Sequence, residues 1–379
     1  MSIRDSIDRI TQNVKNTYAV LLGLGADIPD EQNSDNLAAT AGTTKAVLYS
    51  EQTLAEEQKA QARNNIGSGT SNFSGNYDDL TNKPLIVNPN LLDNWYFGNP
   101  VNQRGQTEYG KSQYTIDRWM NGGYTVSVFV RDGYIETDGT GVWLQQKLEQ
   151  SLVTALEGKQ VTASVLLKDG RLFSGRIDAS VGTGNQTIFV IDNYIHFQIS
   201  LTDGLVRIVT FASGSYNLKV VAIKLELGSA QTLAHNEGTE EVPKWVLNEI
   251  PDYGEQLVRC QRYFLRLGQG LINGKYGQIG IGLADKNGDI SVWFYLPVPM
   301  RETPTPTLTG TINAINYTNS AKHPLKLRTS QAVNAYTSPE QGVVVLTFTP
   351  TSTTLSPGSV YGVQSDDPGG GYVDLSADL

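Results

Sequence analysis

KVVAIKLEL, Lys219–Leu227, alternates along its length: Val221, Ile223, Leu225 and Leu227 fall on one side, Lys224 and Glu226 on the other. A side-chain period of two marks a strand with one apolar face. Upstream, residues 125–131 repeat the pattern with Val126, Val128 and Val130, and residues 161–168, 187–192, 194–201 and 205–211 read as further strands. Turn-forming residues separate these runs at short, regular intervals, which predicts an antiparallel sandwich.

Composition agrees with a mainly β chain. Of 379 residues, 38 are Gly and only 18% are charged, a balance that favours turns and strands over helices. The length suggests two or three domains. A net charge of −9, without a basic cluster, argues against a nucleic-acid partner and against anionic membranes. Cys260 is the lone cysteine, so no internal disulfide is possible, and it reads as a small buried hydrophobe. The opening MSIRDSIDRI is too charged for a secretory signal, and no run of about 18 apolar residues predicts a membrane span.

The N-terminus has a different period. Ile3, Ile7, Ile10, Val14, Thr17, Leu21 and Leu24 recur at spacings of four and three, the seam of a coiled coil. β-Branched residues at both seam positions favour three strands over two. A single amphipathic helix packed on a larger partner is the competing reading. Residues 1–26 are therefore expected to be a trimeric attachment segment. Residues 27–87 read as a linker containing a short helix at 51–66, started by Ser or Thr and stopped by Gly67. A β-domain spans 88–228, a second linker with an acidic run near Glu240 spans 229–250, and a second β-rich domain, read as another sandwich, spans 251–379.

In that last domain Asn287-Gly288 lies between alternating runs and predicts a type I′ hairpin. A two-residue turn sets Leu283 against Val292, Ile281 against Phe294 and Ile279 against Leu296 on the apolar side. Trp293 then lies opposite Gly282, and Tyr295 opposite Gly280, on the other side. Exposed aromatic rings beside polar groups suit carbohydrate, so Trp293 and Tyr295 are glycan-binding candidates. So are Trp143 with Gln145, and Tyr194 with His196, on the polar sides of their strands. For Trp293 and Tyr295 the competing explanation is that each ring covers the glycine opposite it or packs at a trimer interface.

Catalytic chemistry is not evident. His196, His235 and His323 are the histidines, no GxSxG elbow accompanies them, and no carboxylate spacing singles out a glycosidase pair. Asp285-Lys286-Asn287-Gly288-Asp289 has the oxygen spacing of a calcium loop, but the required later Glu is replaced by Leu296. A hairpin turn accounts for the same residues. No enzyme activity, metal or cofactor is expected.

Several segments resemble bacteriophage and prophage tail fibre proteins. TLAEEQKAQARNNIG (53–67) is similar to a short helical motif that precedes their globular parts, and FSGNYDDLTNKPLI (73–86) to the connector that follows it. NPNLLDNWYFGNPVNQRG through YTIDRW (88–119) resembles the opening of jelly-roll, carbohydrate-binding-module-like domains, and KLELGSAQTLAH (224–235) their closing strand and exit. RCQRYF (259–264) and PVPMRETPTPTLTG (297–310) resemble the C-terminal domain of many tail proteins. Trp95 and Trp119, inside these segments, read as core anchors. The resemblance implies a homotrimeric virion appendage, attached to tail or baseplate proteins through its N-terminus and binding a bacterial surface glycan at its far end. A purely structural tail component and a polysaccharide depolymerase are the alternatives. The family has no shared binding-site motif, so no receptor residue is carried over from it.

Overall fold

The computed structural model describes residues 2–44, 55–65, 87–123, 127–138, 141–210, 216–268, 277–318, 320–328, 333, 337–365 and 370–378. The chain divides into two compact units, Met1–Leu85 and Ile86–Leu379.

In the first unit, helix Ile3–Gly23 opens on a reciprocal cap. The Asp5 amide donates to Ser2 Oγ at 3.1 Å, and the Ser2 amide donates to the Asp5 carboxylate at 2.8 Å. Beyond Gly25, at φ 77°, the chain turns back toward a short helix, Leu37–Ala41. Tyr18 Oη donates to the Asn33 carbonyl at 2.8 Å, and Tyr18, Leu21, Ala26 and Thr40 are buried. The chain itself thus covers Leu21, and Val14 is half-buried. Ile3, Ile7, Ile10 and Leu24 stay exposed, Ile3 at 82%. What is described is one helix whose seam is open to solvent over its first half. A third helix, Glu56–Asn65, falls within the expected 51–66. Residues 51–54, Ile66 and the whole of the 73–86 motif lie outside the described residues.

The second unit begins with two six-stranded antiparallel sheets that share one core. One runs in the order Glu108–Tyr109, Val128–Arg131, Tyr134–Thr137, Lys219–Leu227, Gln160–Leu167, Leu172–Asp178. The other runs Gln113–Tyr114, Met120–Asn121, Trp143–Lys147, Leu205–Thr210, Ile195–Ser200, Gln186–Ile191. Ile135, Val165 and Ile223 from the first meet Leu144, Phe197 and Ile208 from the second in the core. This is the expected sandwich. Val126, part of the predicted alternation, lies outside the described residues. Trp95 and Trp119 are buried anchors, with Trp119 Nε1 donating to the Asn94 carbonyl at 2.9 Å.

Lys219–Leu227 matches its predicted span, but Lys224 and Glu226 are as buried as Ile223 and Leu225, while Leu227 is exposed. The chain leaving the sandwich covers the polar side. Glu226 accepts from the amide of Thr232 at 2.7 Å and from its hydroxyl, and Lys224 Nζ lies 3.5 Å from the Glu249 carboxylate. Buried charges persist where paired and hydrogen-bonded in this way. The segment 229–250 is accordingly more than a linker: Ala234–Asn236 pairs with Trp245–Leu247, and the acidic run at its tip is solvated.

The C-terminal part departs from the expected sandwich. Six strands close into a barrel in the order Gln278–Ala284, Ile290–Tyr295, Val343–Pro350, Ala321–Leu327, Ile312–Asn316, Val360–Ser365. A separate three-stranded sheet is formed by Phe264–Leu267, Gly371–Ser376 and Thr305–Gly310. Closure leaves the barrel without edges. Glycine permits the tight interior: a Cβ on Gly280 would stand 2.5 Å from Val292 Cγ1, and one on Gly282 2.6 Å from Ile290 Cγ1.

The predicted hairpin exists with a register one residue different. Gly282 faces Val292, Leu283 faces Ser291 and Ala284 faces Ile290, so Leu283 does not face Val292. The cause is Asp285. Its carboxylate accepts from the amides of Asn287 at 2.8 Å and Asp289 at 3.0 Å, and its own amide donates to the Asp289 carbonyl at 2.8 Å. The loop is therefore three residues, with Gly288 at φ 81° supplying the left-handed position. A slip of one residue reverses faces. Ile281 and Leu283, expected in the core, lie exposed, as do Trp293 and Tyr295, and Gly280 and Gly282 face the interior rather than the two rings.

Candidate functional site

Strand register brings the sandwich candidates onto one sheet face. Trp143 pairs with Val209, which pairs with His196, which pairs with Val190. In the next row Gln145 pairs with Arg207, Arg207 with Gln198 and Gln198 with Thr187. Leu144, Ile208, Phe197 and Ile199 point the other way, into the core. Both rows thus lie on the side away from the core, as alternation requires, with Trp143, Gln145, His196 and Arg207 half-buried there and Val209 and Gln198 buried between them.

The face is held by its own hydrogen bonds. Trp143 Nε1 donates to Gln145 Oε1 at 3.0 Å, and the indole lies over Gly122, where a Cβ would come within 2.4 Å of Nε1. Arg207 Nε donates to Gln198 Oε1 at 3.2 Å, and Gln198 Nε2 donates to Thr187 Oγ1 at 3.0 Å. Thr187 Oγ1 stands 3.5 Å from His196 Nδ1. Partial burial holds the Arg207 guanidinium below its ordinary range, against the opposing pull of Asp203. Tyr194 precedes strand Ile195–Ser200 and packs on Tyr216 with ring centroids 5.3 Å apart. An indole fixed beside amide, imidazole and guanidinium groups can present an apolar ring and directed hydrogen bonds to a polyhydroxylated ligand. Arg207 and Gln198 escape a reading by single strands, because the row appears only once three strands are registered.

Trp293 and Tyr295 belong to a different surface. On the outside of the barrel they share strand Ile290–Tyr295, flanked by exposed Ile281 and Leu283 on one neighbour and, beyond it, Val360, which pairs with Leu283. Tyr317 lies over Gly362, opposite Ile281, and is also exposed. Tyr295, at 85% exposure, is the most open ring of this patch. Its neighbours are largely aliphatic, with the Ser291–Thr347 hydroxyl pair, 3.2 Å apart, on the same face.

The sequence motifs of the second unit meet in a third place, where the sandwich packs on the C-terminal part. Arg104 bridges Asp117 at 3.0 Å and Asp378 at 2.8 Å while its guanidinium sits 3.7 Å above the Phe264 ring. Gln103 Nε2 donates to Asp117 and to the Phe264 carbonyl, each at 2.8 Å. Arg118 stacks 3.5 Å above Tyr263, whose hydroxyl donates to Glu149. Arg266 binds Asp374 through two nitrogens, at 2.7 and 2.9 Å. Burial pushes the Asp117 carboxyl up to about 6 despite Arg104, and raises Asp378 as well. Cys260, fully buried beside this seam, has its thiol pushed up by burial.

Among the described residues no group of three or more His, Cys, Asp or Glu side chains is placed to hold a metal, and no helix is long and apolar enough to cross a membrane. Comparison with protein-family models, curated proteins and solved structures returned no match to this chain.

Proposed function

We propose that the chain is a non-enzymatic bacteriophage tail fibre protein that adsorbs to a surface glycan of a bacterium, with the outward face of the sandwich as its sugar platform. The observation that carries this reading is the registered pair of rows, Trp143–Val209–His196 and Gln145–Arg207–Gln198, in which a ring and a hydrogen-bonded polar network share one face. Tyr194 extends it at one end. Exposed Ile3, Ile7 and Ile10 support self-association through the N-terminal helix, which would gather three platforms on one stalk and attach them to the tail. Three weak sites then act by avidity. Full-length protein is expected to sediment at about three times the 41.3 kDa chain mass, and a monomer would remove the avidity argument. Binding of full-length protein to susceptible cells should be abolished by their purified surface polysaccharide. Binding that persists at saturating polysaccharide would overturn the glycan assignment, and shortening of the polysaccharide would replace it with a depolymerase.

A second reading fits the barrel. The aliphatic neighbours of Trp293 and Tyr295 support a contact with protein, either another copy or a structural tail component, in preference to a sugar.

A further inference from the structure

Between the sandwich and the C-terminal part lies a cleft of about 450 Å³ lined by Lys147, Leu148, Glu149, Gln150, Ser151, Arg262 and Arg301. Three cations against one carboxylate leave the lining at net +2, on a chain whose formal charge is −9. Such a reversal of sign in a concave place focuses attraction for anions.

The cations are built in rather than scattered. Lys147 ends strand Trp143–Lys147, and its carbonyl accepts from Arg118 Nη2 at 2.8 Å. Arg262 follows helix Tyr253–Gln261, and its carbonyl accepts from the amide of Arg301 at 2.9 Å, which ties the two arginine backbones together. The one carboxylate is already engaged: Glu149 accepts from the Tyr263 hydroxyl and lies 3.4 Å from Arg262 Nη2. Arg301 meets Glu302 at 3.0 Å through Nη2, while its buried Nε has no hydrogen-bond partner among the described residues. Lys147, which lines the same cleft, is exposed. The cleft therefore holds more positive charge and more N–H donors than its own acceptors satisfy. Its size falls in the range of small-molecule sites, roughly 300–1,000 Å³. Gln150 and the Ser151 hydroxyl add neutral partners for a ligand's own hydroxyls.

We infer that this cleft binds the oxyanion, carboxylate or phosphate, of a sugar-sized molecule, with Arg301, Arg262 and Lys147 as the anion-holding side chains. Guanidinium groups suit both anions, because their planar donors match two oxygens at once. The inference does not depend on the sandwich platform or on the tail-fibre reading, since purified protein and small solutes suffice to test it.

Isothermal titration of full-length protein with glucuronate, glucose 1-phosphate and neutral glucose provides that test. One or both charged sugars should bind, one per chain, more tightly than glucose and less tightly as salt rises. The two arms tell carboxylate from phosphate. Arg301→Gln and Lys147→Gln should each weaken binding about tenfold or more, as expected for losing a hydrogen bond to a charged group. Glu149→Gln should instead tighten it, because the competing negative charge is gone; damage to the fold could not produce that gain. Lys147 is exposed, so its variant keeps the test open if Arg301→Gln fails to fold. Charged sugars binding no better than glucose, or wild-type affinity in both glutamine variants, would overturn the inference.

Discussion

The outward face of the sandwich and the outward face of the barrel both carry a tryptophan, and their surroundings differ. Trp143 shares its sheet face with Gln145, Arg207, Gln198 and His196, the last across the aliphatic Val209, and its indole nitrogen is tied to the Gln145 amide. Trp293 sits among Ile281, Leu283, Tyr295 and Val360. A ring framed by directed donors and acceptors is suited to a hydroxylated ligand, whereas one framed by aliphatic side chains is suited to another protein surface. The residue type alone would have given both tryptophans the same role.

The two faces belong to one compact unit, and the Arg104 cluster connects the parts that carry them. Removing Arg104 should have the largest effect of any change considered. Arg104→Ala leaves the buried Asp117 and Asp378 carboxylates without their shared cation, a loss of roughly 3–5 kcal/mol for a broken buried pair. Chemical unfolding followed by intrinsic fluorescence should then separate into two transitions, one for the sandwich and one for the C-terminal part. A single transition at the wild-type midpoint would mean that the parts are joined by something else.

A smaller and one-sided effect is expected at Gly280. Alanine there would press on Val292 and Phe294 inside the barrel, costing about 1–3 kcal/mol as overpacking. The C-terminal part should lose stability while adsorption through the sandwich face is retained.

The smallest effect is one of pH. Asp117 has its carboxyl raised to about 6 from an ordinary 3.8, with Asp378 raised in the same direction. Between those values the folded chain holds a proton that the unfolded chain has released. This contribution therefore favours the folded state on the acid side and is lost as pH rises from about 4 to about 6. Unfolding midpoints in urea should increase on moving from about pH 7 to about pH 5, and Asp117→Asn should flatten that slope. Exposed Glu56 and Glu237, whose carboxyls are lowered by Lys59 and Lys244, act in the opposite sense, through their ordinary range near 4.5 and below.

Local periodicity carried much of the sandwich. Strands such as Gln160–Leu167 and Lys219–Leu227, and the buried Trp95 and Trp119, followed from alternation and segment character, and so did the outward direction of Trp143, Gln145 and His196. Long-range features were not legible. Arg104 and Asp378 are 274 residues apart in the chain, and no local pattern announces their contact. Lys224 and Glu226 alternate as a polar face should, yet the returning chain at Thr232 and Glu249 buries them. In the barrel one side chain decided the matter: Asp285 lengthened the turn by one residue and moved Ile281 and Leu283 from the expected core to the surface. Arg207 and Gln198 became part of the candidate site only through register among three strands.

The contrast between the two tryptophans is tested most directly by measuring polysaccharide-competable adsorption of full-length Trp143→Ala and Trp293→Ser side by side. The account predicts that Trp143→Ala loses about tenfold or more of its binding, in keeping with the worth of a buried aromatic contact, while Trp293→Ser binds like the wild type. Normal adsorption by Trp143→Ala together with its loss in Trp293→Ser would contradict it, and would move the receptor site to the barrel.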